Sequence, residues 1–161
     1  MEHMRLIEEY LAGPDLLRRA VADMTRQQLQ ARPIPNKWST IEVVAHIADF
    51  EPIFADRMKR VIAEDRPTLL AADHERFIAR LACQERDVEE ELAVVEWTRR
   101  HMARILRHLT PEDFERVGIH SQTGPKTLRQ LLTTITAHIP HHVRFINDKR
   151  LALGLPAVPV P

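Results

Sequence analysis

The sequence predicts an all-helical protein that folds as a four-helix bundle. Of its 161 residues, 44% are apolar, 29% are charged and 4 are glycine, a composition typical of helices rather than of a turn-rich sheet or a disordered chain. Four long segments bring apolar residues back every three or four positions, which is the period of a helix with one buried face. A chain of this length can bury a single core without a disulfide framework to support it.

The first two predicted helices cover residues 4–24 and 39–63. The first carries an apolar face, and Pro14 predicts a bend within it. The second starts at Ser39, because the sequence Ser-Thr-Ile-Glu is typical of a capping box. In such a box the Ser39 hydroxyl accepts a hydrogen bond from the amide of Glu42, and the Glu42 side chain accepts one from the amide of Ser39.

The third and fourth predicted helices cover residues 85–109 and 127–154. The buried stripe of the third is predicted to consist of Val88, Leu92, Val95, Met102, Leu106 and Leu109, and Pro111 stops this helix. The fourth starts at Thr127, whose Thr-Leu-Arg-Gln sequence is again typical of a cap, and Gly154 suits its C-terminal end. It is predicted to be the longest helix.

Two connections carry local signals of their own. Residues 64–84 are expected to hold a short helix near residues 73–81, and they are long enough to form a crossover connection over the bundle. After the third helix, the sequence Thr-Pro-Glu-Asp-Phe predicts one helical turn with Thr110 as its cap. The glycine-containing stretch that follows, residues 118–126, is predicted to be a polar loop.

Residues 1–155 are expected to form one domain, followed by a proline-rich tail, residues 156–161, that is extended and outside the core. The single cysteine, Cys83, excludes an internal disulfide framework. The first residues mix glutamates with apolar side chains, and no run of about 18 apolar residues occurs in the sequence, so neither a signal peptide nor a membrane span is predicted. We therefore expect a cytoplasmic protein.

Nucleic-acid binding is not expected either. The sequence holds 23 basic and 23 acidic residues, so it has no net charge to attract the phosphate backbone. The expected ligand is a small molecule.

Three of the nine histidines occupy helix positions where apolar side chains are expected. His138 and His142 continue the apolar face of the fourth helix, and a separation of four residues places them one turn apart on that face. His46 lies among apolar residues of the second helix, where an unpartnered imidazole would cost free energy. Together they predict a site in which three neutral nitrogens bind one divalent metal and leave a position open, as in catalytic sites. Core histidines satisfied by backbone or hydroxyl groups are the alternative.

Three segments of the sequence add a resemblance to a known family. They are MTRQQLQARPIPNKWSTIEVVAHIADFE, LTPEDF and TGPKTLRQLLTTITAHIPHHVRFI, and their order resembles the DinB/YfiT-like family of metal-dependent enzymes over nearly the whole chain. In that family one histidine of the second helix and an H-x-x-x-H pair of the last long helix bind the metal, which implies His46, His138 and His142 here. The resemblance also implies a homodimer. Pro140 departs from the pattern and predicts a bent but continuous helix, because it removes one backbone hydrogen bond.

The predicted site allows two kinds of chemistry. Three neutral imidazoles leave the double charge of the metal uncompensated, so a bound water is acidified toward a pKa of about 7 and hydrolysis becomes feasible. The open position also accepts a thiolate, and the family that this chain resembles includes enzymes that transfer low-molecular-weight thiols to electrophiles. Nitrogen ligands suit zinc, nickel, copper or iron and do not select among them.

Asp49, three residues after His46, is the nearby carboxylate that we expect to act as a general base; an ordinary solvated helix carboxylate is the alternative. Trp38, just before the second helix, is more typical of a packing anchor than of a pocket wall. The sequence thus predicts a metal-dependent enzyme, a hydrolase or a thiol S-transferase, that acts on a small molecule. A non-catalytic helical module that binds metal, or that mediates stress-associated interactions, is the competing hypothesis.

Overall fold

The computed structural model describes residues 2–161 and has the predicted, mainly helical fold. Within these residues the α-helices are α1 (Glu2–Val21), α2 (Arg26–Gln30), α3 (Thr40–Ala63), α4 (His74–Arg80), α5 (Val88–Leu106) and α6 (Leu128–Ala152). The connections also hold 3₁₀ turns at Cys83–Glu85 and Pro111–Glu115, and the short strands β1 (Thr68–Leu69), β2 (Val117–His120) and β3 (Gly124–Thr127). Across the described chain, no helix is long and apolar enough to span a membrane.

The four long helices form the predicted four-helix bundle. α1 packs against α5 and α6, and α3 packs against the same two helices. α1 and α3 therefore lie diagonally across the bundle, as do α5 and α6, so residues 22–39 and 107–127 each connect opposite corners. The connection through residues 64–84, by contrast, joins the neighbouring helices α3 and α5. The bundle therefore contains long crossover connections, as predicted. They are residues 22–39 and 107–127, however, and not residues 64–84.

Local capping signals predict several helix starts well. Capping boxes are present at Ser39 and Thr127, where α3 and α6 begin. The short helix expected near residues 73–81 is α4. The Asp73 carboxylate caps this helix by accepting a hydrogen bond of 3.1 Å from the amide of Arg76. These starts could be predicted because each depends on side chains within a few residues of the helix end.

The bounds of α1 and α5 differ from the prediction. α1 runs through Pro14 as one helix, as predicted, but it ends at Val21, three residues before the predicted end. Thr25 then caps a separate short helix, α2. α5 begins at Val88, after the N-cap Asp87, which accepts hydrogen bonds from two amides. The prediction overlooked the helix start at Thr25 and the cap at Asp87.

The segment predicted as a polar loop at residues 118–126 instead forms most of a β-hairpin. β2 pairs with β3 in antiparallel fashion and with β1 in parallel fashion. Gly118 permits this arrangement, because a Cβ at that position would lie 2.8 Å from side-chain carbons of Leu69 and of Val61 on α3. Glycine and proline have low strand propensity. The strands therefore depend on contacts with β1 and α3 that the local sequence does not reveal.

One buried ion pair connects all four long helices. The side chains of Arg99 on α5 and Glu51 on α3 are both 0% exposed and pair at 2.6 Å. The same guanidinium donates to the carbonyl of Tyr10 on α1 and to the carbonyl of Ile135 on α6, each at 2.7 Å. Gly13 makes room for it, since a Cβ there would lie 2.2 Å from an Arg99 nitrogen. This network fixes the spacing of the helices beneath the histidines.

The proline-rich tail has neither helix nor strand and packs against the bundle. Val158 and Val160 are partly buried against one of the apolar clusters. The side chain of Asn147 on α6 makes two hydrogen bonds of 2.9 Å with the backbone of Val158, and Arg150 donates to the carbonyl of Pro156 at 2.7 Å. The tail therefore covers the C-terminal half of α6, although the sequence placed it outside the core.

Candidate metal centre

α3 and α6 bring three imidazoles to one place near the surface of the bundle. The Nε2 atoms of His46 on α3 and His138 on α6 are 3.0 Å apart. One ring nitrogen from each of His46, His138 and His142 lies within 4.8 Å of the others, and their ring centroids are separated by 4.5 to 4.9 Å. The structure thus brings together the three histidines that the sequence singled out.

The two histidines of α6 lie beside the core stripe rather than on it. The fully buried residues of this region are Ile135, Ile139 and Val143, while His138 and His142 are half-buried. Phe145, which the sequence placed on the same buried face, is 42% exposed. α6 runs through Pro140 as one continuous helix. The histidines therefore stand at the edge of the core, where a ligand can reach them from solvent.

Burial keeps all three imidazoles neutral at physiological pH. Loss of solvent lowers the pKa of His46 to about 4, with a further contribution from His74, while the charge of Asp49 acts in the opposite direction. Burial first, and then the neighbouring histidines, lower the pKa of His138 to about 2. Burial and His46 likewise lower the pKa of His142 to about 3. A neutral imidazole is the form that binds a metal.

These residues fit a divalent metal. Two ligands at 2.0–2.1 Å from one ion stand about 3.0–3.4 Å apart, and the 3.0 Å between the Nε2 atoms of His46 and His138 agrees with this spacing. The Nδ1 atoms of all three histidines are buried without a hydrogen-bond partner within residues 2–161. Backbone or hydroxyl partners, which the alternative interpretation requires, are thus not found for these nitrogens in that range.

Asp49 lies one turn after His46, but its carboxylate is engaged elsewhere. Its two oxygens accept hydrogen bonds of 2.8 and 2.9 Å from the Arg86 guanidinium, which also pairs with Glu91 at 2.7 Å. The Asp49 side chain is 13% exposed, so it is not an ordinary solvated carboxylate. Its role as a general base stays a prediction.

A cavity of about 390 Å³ adjoins the centre and reaches His142. Its apolar lining includes Ile34, Trp38, Val43 and Phe145. The ring of Trp38 is 5.3 Å from that of His46, and Trp38 also packs against the core, so it is both a packing anchor and a pocket wall. Sequence reasoning missed His74 of α4, whose ring is 5.8 Å from that of His46, because nothing local relates α4 to the bundle.

Fold and site together define a class, that of helical bundles with a three-histidine centre suited to a metal. The DinB superfamily model matches residues 9–146, and the chain belongs to this superfamily. A relative in Bacillus licheniformis is 28% identical over 143 residues, which cover 88% of this chain and 81% of the relative. Another in Oceanobacillus iheyensis is 27% identical over 135 residues, which cover 84% and 78%. Both are named "putative metal-dependent hydrolase".

Solved structures show the same fold. The chain resembles YfiT from Bacillus subtilis with a TM-score of 0.89 and 25% identity, over 95% of this chain and 88% of YfiT. YfiT is described as a "probable metal-dependent hydrolase with an unusual four-helix bundle topology". A mycothiol-dependent maleylpyruvate isomerase shares the fold with a TM-score of 0.70 and 12% identity, and the match covers 98% of this chain but 62% of the isomerase. At that identity the likeness concerns the fold alone.

Proposed function

We propose that the protein is a metal-dependent hydrolase of small molecules, with His46, His138 and His142 as the metal ligands. The observation that carries the proposal is the convergence of three neutral, desolvated imidazoles, one ring nitrogen of each lying within 4.8 Å of the others. The hydrolase names of the two bacterial relatives support the same reaction class. A bound divalent metal supplies Lewis acidity there, which acidifies a water or thiol ligand and polarises a carbonyl.

The protein's own residues hold and surround the reacting groups. Trp38 and Phe145 line the cavity beside His142 and give a small organic substrate an apolar surface. We keep Asp49 as the proposed general base: Arg86 fixes the orientation of its carboxylate one helical turn from His46. Nitrogen ligands suit zinc, nickel, copper or iron. A homodimer, implied by the family resemblance, is the proposed assembly, and light scattering measures it.

Thiol transfer is the second candidate. The isomerase that shares this fold is mycothiol-dependent by name, and an open coordination position accepts a thiolate as readily as a hydroxide. A low-molecular-weight thiol would then be a co-substrate, and the cavity would bind the electrophile. The competing hypothesis of a non-catalytic module predicts a bound metal without turnover in either assay.

Metal analysis of protein purified without a metal-affinity step or chelator tests the ligand set. We expect about one equivalent of divalent metal, as for a single three-ligand site, and a large loss in His46→Ala, His138→Ala and His142→Ala. His141→Ala is the matched control, because His141 is an exposed histidine on the same turn of α6. Equal metal content in all variants would overturn the proposal.

Activity assays of the metal-loaded protein separate the two reactions. Simple esters and amides test hydrolysis, and a thiol with an electrophile tests transfer. Asp49→Asn should lower kcat while leaving metal content unchanged if Asp49 takes up a proton, since the amide keeps the shape of the carboxylate but loses its basicity. An unchanged kcat removes Asp49 from the mechanism without affecting the metal site.

A further inference from the structure

A buried lysine stands in the cavity beside the histidines. Lys149 is 3% exposed and lines the same cavity as His142. The two residues are seven apart on α6, so they lie on one helix face, separated by about 10 Å along the axis. The ammonium group and the histidine centre therefore act on one ligand-sized space.

Protein carboxylates do not neutralise this ammonium directly. Its Nζ donates a hydrogen bond of 3.1 Å to the carbonyl of Phe145, and no carboxylate oxygen of residues 2–161 lies within the 4.0 Å of an ion pair. Asp148, and to a smaller extent Glu42, act on the Lys149 charge from a distance. Glu42 is already paired with Arg32 at 2.6 Å and with the amide of Ser39 at 2.7 Å. The lysine is thus left with donors that an external anion can use.

Burying a charge without a partner costs free energy, and burial lowers the pKa of Lys149 accordingly. A cation near the C-terminal end of a helix interacts favourably with the helix dipole, but the side chain of such a residue is normally solvated. The other charged residues of the cavity, Lys37, Glu75 and Asp148, are exposed and so form its rim. Lys149 is the buried cation of the lining, and Ile34, Trp38, Val43 and Phe145 provide its apolar part.

We infer that Lys149 binds a carboxylate group of the substrate, so that the protein acts on small organic acids with an apolar body. This inference rests on the proposed function for the reacting end of the substrate, which faces the histidines. The carboxylate pairs with the Lys149 ammonium, the apolar body lies against Trp38 and Phe145, and the distance along α6 selects molecules whose reacting group is several bonds from the carboxylate. Lys149 is in this sense a residue that determines specificity.

A pair of probes of equal shape tests the inference in the folded full-length chain. Hexanoate and hexanamide differ mainly in charge, and calorimetric titration measures their affinities at pH 7 for metal-free and metal-loaded protein. A charge-assisted hydrogen bond predicts that hexanoate binds about ten-fold more tightly than hexanamide. Lys149→Met should abolish this preference in both forms, whereas Lys59→Met, at an exposed lysine of α3, should keep it. Lys149→Gln is a second neutral variant, used in the event that the methionine variant does not fold.

The metal-free arm separates this inference from the proposed function. If the histidines bind no metal, Lys149 still gives metal-free protein a preference for hexanoate. A preference for hexanoate that is seen only in metal-loaded protein and kept in the neutral variants would show that the carboxylate binds the metal. Equal affinities of the wild type for hexanoate and hexanamide would show that Lys149 does not bind a carboxylate. Either result would overturn the inference.

Discussion

Two polar clusters lie between α3 and α6, and they differ in charge: the deeper one pairs a cation with a carboxylate, whereas the shallower one consists of neutral imidazoles. In the deeper one, the Arg99 guanidinium donates two hydrogen bonds to Glu51 on α3, one to a carbonyl on α6 and one to a carbonyl on α1. In the shallower one, His46, His138 and His142 face one another, and each has a buried Nδ1 without a partner in residues 2–161. The deeper cluster holds its own counter-ion and supports the fold, although Glu51 Oε2 and the Tyr10 hydroxyl have no hydrogen-bond partner within residues 2–161. The histidine cluster brings three neutral ring nitrogens to one point, an arrangement that suits a metal ion from outside the protein.

The largest effect is expected from removing the guanidinium of the deeper cluster. Arg99→Met leaves the Glu51 carboxylate buried without its cation, and breaking a buried pair in this way costs about 3–5 kcal/mol of unfolding free energy. Urea denaturation of metal-free protein measures the loss, with Arg104→Met on the exposed face of α5 as the control. The double variant with Glu51→Leu should recover most of the stability, because no unpaired charge is then left. A loss below about 1 kcal/mol, the size expected of a surface pair, would remove the distinction between the clusters.

The next effect concerns the cluster formed by His46, His138 and His142. A metal that binds the native state alone stabilises it by about 2.7 kcal/mol at a free concentration 100 times its dissociation constant. We expect added zinc or nickel to raise the urea midpoint of the wild type and of His141→Ala, and to leave that of His138→Ala in place. Equal stabilisation of all three proteins would show that the metal binds somewhere other than the three histidines.

Gly13 tests how closely the deeper cluster is packed. Gly13→Ala places a methyl group where the Arg99 guanidinium lies, and overpacking of this kind costs about 1–3 kcal/mol. In an ordinary helix the same change is stabilising by roughly 0.5–1 kcal/mol. The sign of the change in unfolding free energy therefore decides whether Arg99 occupies this position in solution.

The last prediction concerns the pH dependence of the metal-free protein, which accumulates over several pH units. The pKa values of His46, His138 and His142 are lowered to about 4, 2 and 3, below the ordinary 6.5 of an unfolded histidine. Between pH 6.5 and about 4 the unfolded chain thus binds more protons, so stability falls as the pH drops, by at most about 1.4 kcal/mol per pH unit for each histidine. Above pH 6.5 this contribution is fully present. Denaturation across that range should give a shallower dependence for the triple histidine-to-leucine variant, and identical slopes would contradict burial of the neutral imidazoles.

The sequence predicted those features that depend on local signals or on helix period. The start of α3 follows from the capping box at Ser39. The meeting of His46 with the H-x-x-x-H pair agrees with the family resemblance, although the pair lies at the edge of the apolar face rather than on it. Arg99 could also have been found, since it fills the gap between Val95 and Met102 in the predicted stripe of the third helix. Its partner Glu51 could not, because nothing local relates α3 to α5.

The features that sequence reasoning missed depend on tertiary contacts. The strands at residues 117–127 have sequences of low strand propensity and form against β1 and α3. Lys149 looks like an ordinary basic residue in the last turn of a helix, and its burial results from packing around the cavity. His74 comes near His46 because α4 folds back over the bundle. In each case the chemistry depends on which elements become neighbours.

One metal ion should bind all three imidazoles, and X-ray absorption of the metal that copurifies with the protein tests this coordination. We expect a shell of nitrogen and oxygen donors at about 2.0–2.1 Å, with the outer-sphere scattering of three imidazoles. In His138→Ala that scattering should fall to two imidazoles or the metal should be lost. A sulfur ligand, or a wild-type spectrum with one imidazole or none, would contradict it.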